Sequence, residues 1–355
     1  MLRYLLNQAA SHFDVAMGAA IFHRSAASRA RSPTESLSHA ERMRAMAAIA
    51  ELYDRPEHYP PDGPFFARPE PMVPRVAHVR PLAGGEVVDW TWPSAFQPFC
   101  ADVAERYLGH TTNRTAAARL FLHDDRPRPA ALLLHGYRAG QYAFEERAWP
   151  VDWLFEKGID VVLPVLPFHA VRAHRPGPPI FPGSDPRLSN EGFRQSILDL
   201  RTLLGHLRAR GAPAVGVMGM SLGAYAASLL ATVEDRLDFA VPMIPLASLA
   251  HVAKSLGRLV GTREEQRAQL EGLDALHRVV SPLARPPRLA PERVLVLAAE
   301  GDRITPPEHA RWLAAHFHAP LEVFPGGHLL QFGRAQAFRS IGRMLGRLGL
   351  LDGRT

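Results

Sequence analysis

The spacing of apolar residues divides the chain into a helical first part and an alternating second part. Apolar residues recur every three or four positions over residues 1–24, which predicts an amphipathic helix. A second helix is predicted after Ser38, because Glu41 follows it at capping-box spacing. Residues 55–74 are rich in proline, so no regular element is expected there. We therefore predict that residues 1–74 form a helical extension of the domain that follows.

From residue 75 onwards, short apolar runs alternate with helical patterns. The runs that predict strands are 75–79, 87–92, 117–123, 130–135, 159–164, 214–218, 239–244, 294–298 and 321–324. The clearest helical patterns between them are 191–210 and 222–232. Alternating β and α segments with apolar strands predict an α/β fold, in which a mostly parallel sheet of about eight strands carries helices on both faces. We expect this domain to span residues 75–355.

The alternation is interrupted over residues 246–291. Two helical patterns, 247–260 and 262–279, appear there, and Thr262 and Glu265 form a second capping-box pair. An insertion at this point would lie over the carboxyl ends of the strands, so we predict a lid that excludes water and selects substrate. Packing alone also explains its apolar residues.

Charge and cysteine content exclude several functions. The net charge is +6, and because Lys157 and Lys254 are the only lysines, the basic charge is almost entirely arginine, spread without clusters. Nucleic acid is therefore not an expected partner. Cys100 is the single cysteine, so an intrachain disulfide and a cysteine metal site are impossible. No apolar run reaches the length of a membrane span. We expect a cytoplasmic protein, with residues 1–24 either packed on the domain or in peripheral contact with a membrane.

The candidate chemistry begins with the sequence Gly219-Met220-Ser221-Leu222-Gly223, which joins an apolar run to a helical pattern. A sharp turn there would hold the serine at its apex in a strained conformation. Glycines are needed on both sides, because other side chains would collide with the neighbouring strand and helix. A serine hydroxyl is a poor nucleophile until a histidine takes its proton and an acid holds that histidine.

An acid and a base are available in the loops that follow the last two predicted strands. Asp302 lies in the first of these loops and His328 in the second, after two glycines that allow a close approach. Glu300 is the alternative acid. His316 and His318 are the alternative bases, although both lie in or at the end of a helical pattern.

An oxyanion site is predicted where the apolar run 130–135 ends in His135-Gly136. Backbone N–H groups at such a strand end point at a developing oxyanion. The expected donors are the amides of Tyr137 and Leu222. We interpret His135 as a structural hydrogen-bonding residue at the strand end.

Together these segments resemble the α/β-hydrolase superfamily, in particular its serine esterases and lipases. The shared features are His-Gly after one strand, G-x-S-x-G, an aspartate loop and Gly-Gly-His, and the resemblance covers about residues 85–345. It implies an α/β-hydrolase fold with Ser221 as nucleophile, Asp302 as acid and His328 as base. It does not specify the substrate.

A further loop follows the run 159–164 and contains His169, Arg172 and Arg175. Because ligands bind at the carboxyl ends of strands in open α/β sheets, this loop should border the site. Its arginines could hold a carboxylate or phosphate of the substrate. A surface loop held by salt bridges is the alternative.

The sequence therefore predicts a serine hydrolase that cleaves an ester or related acyl bond through an acyl-enzyme. It should need neither a cofactor nor a metal, and its partner should be a small-molecule acyl ester. Acyl transfer to an alcohol would use the same triad. A non-catalytic binding protein of the same fold is the alternative from another class.

Overall fold

One mixed sheet organises the chain in the computed structural model, which describes residues 1–27, 37–175 and 177–352. Its strands within the described ranges are β1 (Arg75–Leu82), β2 (Gly85–Pro93), β3 (Thr115–His123), β4 (Ala130–Leu134), β5 (Asp160–Pro164), β6 (Val215–Met220), β7 (Ala240–Met243), β8 (Val296–Ala299) and β9 (Leu321–Phe324). The strand order is β1-β2-β3-β5-β4-β6-β7-β8-β9. The pairs β1/β2, β2/β3 and β3/β5 are antiparallel and the others parallel. The predicted α/β architecture is confirmed, with nine strands rather than about eight.

Helices connect most of the parallel strands. In the described part of the chain they are α1 (Leu2–Ala27), α2 (His39–Tyr53), α3 (Ala101–Leu108), α4 (Tyr142–Ala148), α5 (Val151–Glu156), α6 (Pro186–Ala209), α7 (Leu222–Val233), α8 (Leu249–Ser255), α9 (Arg263–His277), α10 (Pro307–Phe317) and α11 (Arg334–Arg347). Both predicted capping boxes form. The Glu41 and Glu265 carboxylates each accept an N–H, from Ser38 and Thr262 respectively, at 2.8 Å.

The sheet has an apolar layer on each face. In the central strand β4, Ala130, Leu132 and Leu134 pack into the layer formed with α6 and α7. Ala131 and Leu133 point the other way, into the layer that includes side chains of α5 and α11. Successive strand residues face opposite sides, so a strand covered on both faces reads as a continuous apolar run. This is why β4 was recognisable in the sequence.

The residues just before β1 share the core of the sheet domain. Tyr53 and Phe65 are buried in the same apolar layer as α6, and the Tyr53 hydroxyl donates to the Glu191 carboxylate at 2.8 Å. Helix α2 packs on α9, where a Cβ built on Gly272 would lie 3.0 Å from the Met46 sulfur. Apart from two single turns of 3-10 helix, residues 55–74 contain no helix or strand, as predicted. The domain boundary at about residue 74 stays a prediction.

Helix α1 packs on the domain through an unexpected face. Ser11 and Asp14 are buried, whereas Leu2, Leu5 and Phe13 are 71%, 55% and 39% exposed. The predicted helix is confirmed, but its small and polar side rather than its apolar side faces the protein. No helix in the described ranges is both long and apolar enough to span a bilayer. Contact of residues 1–24 with a membrane surface stays a prediction.

The insertion after β7 begins next to the turn at the end of β6. The Leu246 N–H donates to the Ser221 carbonyl at 3.5 Å. The predicted helix 247–260 ends earlier, at Ser255, because Gly257 adopts a left-handed conformation with φ 63°. That the insertion acts as a lid stays a prediction.

Candidate active site

The turn between β6 and α7 has the strained geometry expected of a nucleophile elbow. Ser221 has φ 54° and ψ −112°, a left-handed backbone conformation that residues other than glycine rarely adopt. A Cβ on Gly219 would overlap the backbone of Gly223, and a Cβ on Gly223 would lie 2.7 Å from the His135 carbonyl oxygen. Because the neighbours in both cases are backbone atoms, no side-chain movement relieves these contacts. The two glycines are therefore required by packing.

The structure brings Asp302 and His328 together. The His328 Nδ1 lies 2.8 Å from Asp302 Oδ2, and both side chains are buried. The other carboxylate oxygen of Asp302 accepts the backbone N–H groups of Ile304 and Thr305 at 2.9 and 2.8 Å. These bonds fix the carboxylate from behind, so that it can orient the imidazole.

The electrostatic surroundings of His328 favour its protonated form. Burial acts against the positive charge and is the largest single effect. The charge of Asp302, its hydrogen bond to the ring and the charge of Asp14 together outweigh burial and raise the pKa of His328 above its ordinary value. A histidine with a raised pKa is a stronger base in its neutral form.

Ser221 and the Asp302–His328 pair are anchored to the same strand end. The Ser221 N–H donates to the Met243 carbonyl at 3.2 Å, and the Thr305 hydroxyl donates to the Ile244 carbonyl at 3.0 Å. The first carbonyl belongs to the last residue of β7, and the second to the residue that directly follows it. No hydrogen bond joins Ser221 to His328, both of which lie in the described ranges. Catalytic hydrogen bonds are often long in unliganded enzymes and shorten in the substrate complex.

The predicted oxyanion segment lies beside the elbow. A Cβ built on Gly136 would lie 3.7 Å from the Ser221 Cβ. Helix α7 begins at Leu222, so the amides of its first turn have no carbonyl partner within the helix. The amides of Tyr137 and Leu222 therefore belong to the two segments that flank Ser221.

His135 has the structural role expected from the sequence. Its Nε2 accepts the Leu166 N–H at 3.0 Å and its Nδ1 donates to the Gly136 carbonyl at 2.8 Å. Burial lowers the pKa of His135 to about 4. The neutral ring therefore connects the strand end of β4 to the loop after β5.

Arg172 is directed into the interior, whereas the sequence suggested that it could hold an anionic group of a substrate. Arg172 is 1% exposed, and its guanidinium pairs with Asp199 at 2.8 Å and donates to the carbonyls of Val165 and Asn113. Phe168 and Ala170 adopt left-handed conformations in this loop, which the sequence did not reveal. Arg172 therefore stabilises the loop from inside and is not presented to a substrate.

The other two loop residues behave differently from each other. His169 is buried and donates from Nδ1 to the Pro167 carbonyl at 2.8 Å. The centroids of the His169 and Tyr137 rings are 5.9 Å apart. Arg175 is exposed. A role in substrate binding stays a prediction for these two residues.

The alternative acid and bases lie elsewhere. Glu300 faces α1, where its carboxylate accepts from Arg3 and Asn7 at 2.7 Å. His316 donates to the Arg285 carbonyl at 2.7 Å, and His318 forms the left-handed cap of α10. Asp302 and His328 are therefore the pair in direct contact among the described residues that the sequence offered as acid or base.

Sequence reasoning missed two residues at the site. The Thr305 hydroxyl lies 3.0 Å from both Asp302 Oδ2 and His328 Nδ1. Asp14, on α1, accepts the backbone N–H of His328 at 2.6 Å and of Leu329 at 2.9 Å. The available signal for Asp14 was the recurrence of small or polar residues at positions 7, 11, 14 and 18, which places them on one face of a helix.

The chain belongs to the α/β-hydrolase family, because residues 131–341 match the model described as "Alpha/beta hydrolase family". This membership supports a hydrolase activity. The "Uncharacterized protein Rv2627c" of Mycobacterium tuberculosis (strain ATCC 25618 / H37Rv) is 30% identical over 335 residues, which cover 91% of this chain and 80% of that protein.

Two solved esterase structures share the fold. Acetyl Xylan Esterase 1 from Thermoanaerobacterium sp. JW/SL YS485 superposes with a TM-score of 0.56 and 17% identity, over 84% of this chain and 93% of that chain. For the acetyl xylan esterase from Paenibacillus sp. R4 the TM-score is 0.53 and the identity 16%, over 85% and 92% of the two chains. The predicted α/β-hydrolase fold is therefore confirmed.

Proposed function

We propose that the protein is a serine hydrolase that cleaves esters or related acyl bonds of small molecules. The observation that carries this proposal is the strained Ser221 elbow, anchored to the same strand end as the buried Asp302–His328 pair. An ordinary turn serine does not require a left-handed conformation enclosed by two obligatory glycines. Strain of this kind is retained where the surrounding structure maintains it for a function.

In the proposed mechanism, the Ser221 oxygen attacks the acyl carbon while the His328 Nε2 takes the hydroxyl proton. The carbonyl becomes an oxyanion, which accepts hydrogen bonds from the amides of Tyr137 and Leu222. The bond to the leaving alcohol then breaks, and His328 returns the proton to that alcohol. Water repeats the sequence on the acyl-enzyme, which releases the acid and restores Ser221.

Asp302 has two tasks in this mechanism. Its bond to Nδ1 holds the ring in the tautomer that leaves Nε2 free to accept a proton. Its charge stabilises the imidazolium that forms when Ser221 attacks. The raised pKa of His328 is consistent with both tasks.

Labelling with a fluorophosphonate probe tests the proposal. Such probes phosphonylate activated serines, so we expect the wild-type protein to react and Ser221→Ala not to react. Ser255→Ala is the matched control, because Ser255 is an exposed serine at the end of α8 and should not affect labelling. Hydrolysis of p-nitrophenyl esters of increasing chain length would then define the acyl group.

The outcomes separate the alternatives. A wild-type protein that neither reacts with the probe nor hydrolyses any ester would favour a non-catalytic binding protein. Labelling that persists in Ser221→Ala would assign the nucleophile to another residue. Faster product release on addition of alcohols, with formation of a new ester, would indicate acyl transfer.

A further inference from the structure

Helix α1 contacts the loops that carry the proposed acid and base. Ser11 donates from its hydroxyl to the Gly301 carbonyl at 2.7 Å, in the loop of Asp302. Asn7 accepts the Gly326 N–H at 2.8 Å, in the loop of His328. The polar face of α1 therefore bridges two loops that are distant from each other in sequence.

Asp14 is the centre of this contact. Its carboxylate is 1% exposed and accepts backbone N–H groups on both loops, from His328 and Leu329 in one and from Arg303 at 3.3 Å in the other. A carboxylate that accepts several backbone N–H groups holds their segment in one conformation, and such charge-assisted bonds are the stronger ones. The backbone of His328 is thus fixed from α1, while its ring is fixed by Asp302.

The glycines of both loops are explained by the same helix. A Cβ on Gly327 would lie 2.5 Å from Asp14 Oδ2. A Cβ on Gly301 would lie 2.9 Å from the Ser11 hydroxyl oxygen. The glycine that directly precedes His328 therefore makes room for α1, so the helix and the loop fit each other as one unit.

We propose that α1 is an integral part of the active site and that Asp14 is a positioning residue for His328. It fixes the histidine loop relative to the Asp302 loop, and it places a second negative charge near the imidazole. This proposal rests on the proposed hydrolase function. No substrate contact is assigned to Asp14.

The charges around His328 support this role. The carboxylates acting on its ring are Asp302, in direct contact, and Asp14, whose charge also raises the pKa of His328. Removal of the Asp14 charge leaves Asp302 as the remaining nearby carboxylate, so the pKa of His328 should fall. Because the neutral imidazole is the active form, the acidic limb of kcat/KM should then move to lower pH.

The experiment compares Asp14→Asn with the wild type in the full-length chain. Asn keeps the size of the side chain but replaces one acceptor oxygen with a donor and removes the charge. We expect kcat to fall on the order of 10- to 100-fold, because a misplacement of about 1 Å can cost that much. KM should remain unchanged, and the acidic limb should shift downward. Arg3→Gln is the control on the same helix, since Arg3 contacts exposed Glu300 and not the histidine loop.

Gly327→Ala perturbs the same contact from the other side and covers the case in which Asp14→Asn does not fold. Its new methyl group would push α1 away from the loop, so kcat should fall while KM is retained. A folded Asp14→Asn with wild-type kcat and an unmoved acidic limb would contradict the proposal. A loss of thermal stability alone, without either change, would also overturn it by showing a merely structural role.

An NMR titration separates this proposal from the proposed function. The His328 ring resonance, assigned by its loss in His328→Gln, should titrate at lower pH in Asp14→Asn than in the wild type. This readout needs no activity. If the wild type hydrolyses nothing but the shift occurs, the proposed function fails while the charge coupling stands. If the enzyme is active but the resonance does not shift and kcat is retained, the positioning role fails.

Discussion

Asp302→Asn is the sharpest test of the acid–base pair. In the structure, Oδ1 accepts two backbone N–H groups and Oδ2 faces the His328 Nδ1 at 2.8 Å. The oxygen of asparagine should keep the two backbone bonds, which turns its NH2 group toward His328. The ring must then accept at Nδ1 and carry its hydrogen on Nε2, so it cannot take the Ser221 proton. The wrong tautomer should lower kcat about 10⁴-fold. This loss corresponds to an activation barrier that is higher by about 5.5 kcal/mol.

Glu300→Gln is the matched control, because it makes the same change two residues earlier in the same loop. Glu300 is 46% exposed and pairs with Arg3, so its loss should leave kcat almost unchanged. Both variants should be compared with the wild type for hydrolysis of p-nitrophenyl acetate, after circular dichroism has shown that they are folded. The reasoning is refuted if Asp302→Asn retains most of the wild-type kcat, or if Glu300→Gln loses as much activity as Asp302→Asn.

Two further predictions concern a glycine of the elbow and a buried ion pair. Gly223→Ala should lower the melting temperature and abolish activity, because its Cβ would overlap the Leu134 carbonyl. Overpacking of this kind lowers the free energy of unfolding by about 1–3 kcal/mol or more. The control is Gly346→Ala, which should melt like the wild type because the space around Gly346 is open. Arg172→Ala should cost about 3–5 kcal/mol of stability, since it leaves a buried carboxylate unpaired, while exposed Arg267→Ala should cost almost nothing. If Arg172→Ala changed the ratio of the KM values for anionic and neutral esters, that result would contradict a purely structural role for Arg172.

The sequence determined those features that depend on local periodicity and local sterics. The continuous apolar run of β4 predicted a strand covered on both faces. The capping boxes at Ser38 and Thr262 located two helix starts, because a cap needs only residues three positions apart. The glycines on either side of Ser221 predicted a sharp turn, and the structure shows the steric reason for both.

Tertiary structure decided which of several equivalent residues meet. Asp302 and Glu300 lie in one loop, and only the folding of that loop turns the first toward His328 and the second toward α1. Arg172 follows a strand end, where ligands bind, yet the backbone of its loop directs it into the interior.

The orientation of α1 was also a tertiary outcome. Its apolar spacing predicted the helix, but its small and polar side packs on the domain, because burial of apolar area is only one contribution to the interface. The loops of Asp302 and His328 present backbone N–H groups that need acceptors once they are buried. Asp14 satisfies them, and that requirement arises only when three segments distant in sequence are folded together.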